Sequence, residues 1–169
     1  MLRHLIAVTA CALCVGADVT ASQAPSTTAP DTYRWHAEFV SLDATAGTLT
    51  VKASALAEAA DEVGRLNPGD RIVLVWSGYS ERADAVRRIT RIGAAQAEPF
   101  MLPAELASRD VQNSYLTFRI RVPAASVPAV KALRPGEWVT VTARHRPGSE
   151  AEAIVAVNPY VQPAPGGTN

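Results

Sequence analysis

The sequence predicts a mainly β protein with short helices. Its expected plan is two tandem β-β-α-β-β repeats that form either paired small barrels or one composite barrel with pseudo-two-fold symmetry. Three observations lead there. Shifting the chain by 67 residues aligns its two halves without gaps as far as about position 80. Within each half, apolar and polar residues alternate with a period of two, as half-buried strands require. A proline-glycine-acid turn, Pro68-Gly69-Asp70 or Pro135-Gly136-Glu137, recurs at the same place in both halves.

The repeat rests on identities and on matched chemistry. Ala37-Glu38 meets Ala104-Glu105, Ser41 meets Ser108, Asp43 meets Asp110, and Leu49-Thr50 meets Leu116-Thr117. Val63 meets Val130 and Leu66 meets Leu133. Between these, Lys52 faces Arg119 and Ile72 faces Val139. A slip of one residue near position 80 then pairs Val86 with Ile154.

The elements follow in order. The first strand runs from Tyr33 to about Leu42, with Tyr33, Trp35, Ala37 and Phe39 on one face. A turn at Asp43–Gly47 leads to a second strand over Thr48–Ser54. Its counterpart alternates Leu116, Phe118, Ile120 and Val122 with Tyr115, Thr117, Arg119 and Arg121. Leu56, Ala59, Ala60, Val63 and Leu66 then fall at helical spacing, as do Val127, Val130 and Leu133 behind Pro123. Proline presets φ and glycine tolerates positive φ, so each Pro-Gly pair predicts a type II turn that ends the helix. The third strand follows at Arg71–Trp76 or Trp138–Ala143, and a last strand at Ala85–Ile92 or Ala153–Val157. Val86, Ile89 and Ile92 also suit a helix, and only the repeat favours a strand there.

The flanks differ in composition. Residues 1–21 read as a secretory signal peptide: Arg3, then an apolar run from Leu5 to Val15, then small residues before a cut at Ala21. The run is too short to span a bilayer, which takes about 20 residues. Val8-Thr9-Ala10-Cys11 has the form of a lipobox, so lipid attachment is the less favoured alternative. Residues 22–32 read as a disordered linker, 33–93 as the first repeat, 94–99 as a connector, 100–160 as the second repeat and 161–169 as a disordered tail. These readings place the mature protein in the periplasm or outside the cell.

Composition excludes some classes. The chain has 16 basic and 16 acidic residues. Removing residues 1–21 takes away one of each, Arg3 and Asp18. Such a balance does not give the basic field that nucleic acid requires. No later segment is long and apolar enough to span a membrane. Both cysteines, Cys11 and Cys14, lie in the predicted signal peptide, so the mature part must fold on a hydrophobic core alone.

Few residues invite chemistry. His36, His145 and Met101 are candidate soft-metal ligands, far apart in sequence. Their simpler reading is an outward strand residue, a solvated turn residue and a core plug. Arg87, Arg88 and Arg91 cluster near the end of the first repeat, with Glu81 and Asp84 available to neutralise them. Trp138 lies on the wet face with Thr140 and Thr142, and Tyr79 lies in a turn. Both are candidate docking aromatics. No serine occupies a strand-turn-helix elbow, and Asp61-Glu62 falls on a helix surface. No catalytic residue is predicted.

Leu116-Thr117-Phe118-Arg119, the short helix, Leu133 to Val141 and Ile154-Val155-Ala156-Val157 together resemble the CusF-type periplasmic copper-binding small β-barrels. The first repeat resembles them in Phe39–Asp43, Gly47–Val51 and Leu66–Arg71. The resemblance implies a small barrel that binds copper through histidine, methionine and a stacked tryptophan. The family's methionines sit on the strand that here holds Leu116 and Phe118, where no donor is present. The resemblance thus implies the barrel without copper at the family's place. The expected function is a non-catalytic binding or scaffold module for an envelope protein or small ligand, with no cofactor. The alternatives are a copper-type metal-handling protein with relocated ligands and a hydrolase with an unrecognised site.

Overall fold

The computed structural model describes residues 31–76, 85–93, 101–145 and 149–161. Eight strands form one sheet: β1 (Thr32–Asp43), β2 (Thr48–Ala55), β3 (Arg71–Trp76), β4 (Ala85–Arg91), β5 (Met101–Asp110), β6 (Tyr115–Arg121), β7 (Trp138–Arg144) and β8 (Ile154–Pro159). Helix α1 (Ala57–Arg65) follows β2, and a shorter α2 (Val127–Lys131) follows β6. The sheet order is β4-β3-β5-β6-β2-β1-β7-β8, with β4 also pairing β2. That extra pairing closes a five-strand barrel of β2, β4, β3, β5 and β6. The parallel bridge that closes it is short, Ser54 to Ala85 and Ala55 to Val86. Beside it the Leu56 N–H donates to the Val86 carbonyl at 2.8 Å.

Strands from the two halves of the chain interleave. β3 pairs with β5, β1 with β7, and β2 with β6. Separate paired barrels therefore do not form. The registers of the two halves correspond. Glu38 pairs with Lys52, and Glu105 with Arg119, each 67 residues further on. Ala37 pairs with Val139, and Ile72 with Ala104, under the same shift. Both hairpins carry an irregularity at the same place, between Phe39 and Ser41 or Leu106 and Ser108.

The core follows from the alternation. Tyr33, Trp35, Ala37 and Phe39 of β1 are buried, as are Leu116, Phe118 and Ile120 of β6. Trp35 and Trp76 stack, and each tilts against Phe118 with ring centroids 6.2 Å apart. α1 buries Ala59 and Val63 toward the sheet, and Leu66 behind it. Its exposed end is held by Arg109, which donates to the carbonyls of Val63 at 2.8 Å and Gly64 at 2.5 Å.

Each Pro-Gly turn has the expected backbone. Gly69 has φ +89° and Gly136 φ +94°. The Asp70 N–H donates to the Asn67 carbonyl at 3.0 Å, and the Glu137 N–H to the Arg134 carbonyl at 3.1 Å. Within the ambiguous 83–92 stretch, Ala85–Arg91 is a strand, β4, settled by its pairing along β3 from Ile72–Arg91 to Trp76–Val86, while 83 and 84 lie outside the described residues.

Two expectations need correction. β1 begins at Thr32, inside the predicted disordered linker. Thr32 pairs with Arg144, while the Asp31 carboxylate accepts from Arg144 at 2.7 Å and its carbonyl from the His145 N–H. The second helical stripe is broken into a 3-10 turn, Ala124–Ser126, and the five-residue α2. Pro128 has no N–H to bond the carbonyl four residues back, so the regular helix can only start near it. The predicted signal peptide, the connector over 94–99 and the tail beyond Val161 lie outside the described residues.

The open edge of β8 is guarded. The Val157 N–H points away from β7 and donates to the buried Ser126 hydroxyl at 3.0 Å. Two residues on, Pro159 has no N–H to offer. Capped and missing donors are how sheet edges avoid pairing with foreign strands.

Candidate functional site

The polar faces of the strands form the outer surface, and their chemistry is set by cross-strand register. One row runs Trp138, Glu38, Lys52, Thr117 across β7, β1, β2 and β6. Lys52 Nζ lies 3.4 Å from a Glu38 carboxylate oxygen and 4.5 Å from the centroid of Tyr115. Trp138 is 43 % exposed and Tyr115 39 %. Beside Trp138, His36 pairs with Thr140, and its Nδ1 lies 3.1 Å from the Thr140 hydroxyl. The His36 ring meets Tyr160 edge-on with centroids 4.7 Å apart. Tyr160, itself 37 % exposed, is pinned by its N–H to the Trp138 carbonyl at 2.8 Å. Three half-exposed aromatic rings, one histidine and one ion pair thus share a contiguous face.

A second row runs Arg71, Glu105, Arg119, Thr50 across β3, β5, β6 and β2. Arg119 bonds Glu105 at 2.5 Å, and Arg71 is paired with Glu150 from the short 3-10 turn before β8. A cleft of ≈500 Å³ opens over this row.

The structure separates the predicted metal candidates. His36 faces outward on β1, while Met101 opens β5, with β2 and β6 between those strands. His145 follows β7 and stacks obliquely at 5.4 Å on the ring of Tyr33, which is buried on the opposite side of β1 from His36. These three residues therefore do not form one donor set for copper. Among the described residues no three of His, Cys, Asp or Glu are grouped to hold a metal. Arg87, Arg88 and Arg91 are exposed on β4. Arg91 acts as a clamp, bonding the Asp70 carboxylate at 3.1 Å and the Arg65 carbonyl at 3.2 Å. Tyr79 lies outside the described residues.

The perturbed ionisable groups sit in structural positions. The Asn67 N–H and the Arg91 guanidinium hold the Asp70 carboxyl below its usual range. Asp110 is lowered by the Asn113 side-chain amide and backbone N–H in the β5–β6 turn. Burial pushes the Tyr33 phenol well above its ordinary value. The turn acids are anchors, and Tyr33 belongs to the core.

Sequence reasoning singled out Trp138 but not Tyr160, Lys52 or the cleft arginines as members of a site. The alternation on β6 already placed Tyr115, Arg119 and Arg121 on one wet face. What brings Arg71 and Glu150 beside them is the β3–β5 pairing and the turn before β8, which periodicity cannot see. The chain matches no family model, no curated protein and no solved structure. The fold and site define a mainly β protein with a closed five-strand barrel, and no helix of the described residues is long and apolar enough to cross a membrane.

Proposed function

We propose that this chain is a non-catalytic binding module of the cell envelope, periplasmic or secreted, that docks a protein partner on its aromatic face. The observation that carries this is the joint exposure of Trp138, Tyr115 and Tyr160 on one surface, at 43 %, 39 % and 37 %. Exposed tryptophan and tyrosine supply most of the anchoring energy in protein interfaces, and a rim of charge such as Glu38 and Lys52 fixes register. The N-terminal order of charge, apolar run and small residues supports export.

We further propose that the module arose by duplication of one β-β-α-β-β unit, which the matching registers, turns and hairpin irregularities support. The copies exchange strands into one composite sheet. The resemblance of each copy to CusF-type barrels agrees with such an origin. Divergence of the wet face is how such a pair acquires a docking surface on one side only. At the positions of Trp138 and Tyr115, the other half carries Arg71 and Thr48.

A photo-crosslinking amino acid placed at Trp138 in living cells tests the docking face, with the same group at the exposed Ile92, behind β4 at the other end of the strand order, as the control. A discrete protein adduct from position 138 that position 92 does not give is the expected result. Identical adducts from both positions, or none from 138, would overturn the reading.

A further inference from the structure

We propose that the cleft over β5 and β6 binds a small oxyanion, a carboxylate or a phosphate, through Arg121 together with Arg71 and Arg119. The cleft holds ≈500 Å³ and is bordered by all three arginines. That volume falls within the roughly 300–1,000 Å³ typical of small-molecule sites. Among the described residues two carboxylates border it, Glu105 and Glu150, and both are already engaged, with Arg119 and Arg71. The cleft therefore carries one positive charge that its own acids leave uncompensated.

The register explains why Arg121 carries that charge. Its cross-strand neighbour on β2 is Thr48, not an acid. Its same-face neighbour on β6 is Arg119, which Glu105 holds. Among the described residues no carboxylate lies within ion-pair distance of Arg121. The two paired arginines are fixed by their carboxylates yet keep free donors, because a guanidinium has five N–H groups. Two hydroxyl-bearing residues, Thr48 and Ser149, also border the cleft. A planar fork beside hydroxyl donors matches carboxylate and phosphate oxygens, for which arginine is the preferred partner.

The charge is local. The whole chain balances 16 basic against 16 acidic residues, so no wider field would draw in a polyanion, and a small ligand is favoured. The feature is also one-sided. A shift of 67 residues takes Arg71 to Trp138, Arg119 to Lys52 and Arg121 to Ser54. The anion site and the aromatic face thus occupy corresponding places on opposite halves, and neither depends on the other.

The test is an NMR titration of the full mature chain with sodium phosphate and, separately, sodium succinate, at constant ionic strength set by chloride. Saturable shifts confined to Arg71, Arg119, Arg121, Thr48 and Ser149 are expected with at least one of the two. The salt that saturates identifies the source of the oxyanion. Arg121→Gln should weaken binding by about tenfold or more, as loss of a charge-assisted bond does. Arg121→Lys should fall between, and Arg134→Gln, outside the cleft, should bind as the parent does. Non-saturating shifts shared with Arg87, Arg88 and Arg134, or unchanged affinity in Arg121→Gln, would overturn the proposal.

Discussion

The rings of Trp35 and Trp76 stack with centroids 4.3 Å apart and planes 13° from parallel, both fully inside the protein. Neither indole N–H finds a hydrogen-bond acceptor among the described residues. The pair fills the space against Phe118 of β6 and so joins β1 and β3 to a strand from the other half.

Truncation of Trp76 to alanine should therefore cost about 3–5 kcal/mol, the range for emptying a large aromatic site. Trp76→Phe should cost much less, because it keeps most of the ring and removes a buried donor whose desolvation opposes folding by about 1–3 kcal/mol. Urea unfolding of both variants checks this. Equal losses would show that the unpaired donor carries no penalty.

Gly64 and Gly69 should respond in opposite directions to alanine. A Cβ at either meets nothing within 4 Å, so packing does not decide. Gly64 sits in the last turn of α1, where alanine gains about 0.5–1 kcal/mol. Gly69 holds φ +89°, where a side chain costs about 1–2 kcal/mol. Thermal melts of Gly64→Ala and Gly69→Ala should shift up and down respectively.

The acid limb of stability should contain a contribution from Asp70. Its folded carboxyl titrates below the ordinary 3.8, so the stabilisation is present above that value and fades as pH falls through the lowered one. The Asn67 N–H and Arg91 both favour the ionised form. Asp70→Asn should destabilise at neutral pH and flatten the dependence below pH 4. Unfolding midpoints at pH 7 and pH 2.5 measure the difference.

Tyr33 governs the alkaline side. Burial raises its phenol above 10.0, so the neutral form is the folded one. Stability is intact below the unfolded value and is lost as pH climbs toward the folded one. Tyr33→Phe has no phenolate to form and should resist unfolding between pH 10 and pH 12 better than the parent, by circular dichroism.

Ser126→Ala should cost about 1–3 kcal/mol, since it strands the Val157 N–H on the β8 edge. Faster hydrogen exchange at Val157, with the rest of β7–β8 unchanged, is the expected signature.

Much of the fold was legible in the sequence. Alternation at Tyr33–Phe39 and Leu116–Ile120 marked the buried faces, and the two Pro-Gly pairs marked the helix ends. β4 was legible only through the alignment of the two halves of the sequence, because Val86, Ile89 and Ile92 fit two periods equally well. The closing bridge between Ser54 and Ala85 was not legible, since parallel pairing leaves no local pattern. Of the candidate sites, Trp138 was visible as an aromatic on a wet strand face. The cleft was not, because Arg71 and Glu150 lie 79 residues apart and meet only through tertiary packing.

The interleaving of strands from the two halves of the chain constrains how the molecule can be made. His36 on β1 meets Thr140 on β7 across 104 residues of chain. A polypeptide emerging amino end first, from a ribosome or a membrane pore, leaves β1 without this neighbour until nearly everything has followed. Such distant pairing slows folding. A fragment that stops at Gly93 would hold β1 and β3 with bare sides, so cutting between the halves yields two sticky pieces rather than two smaller proteins.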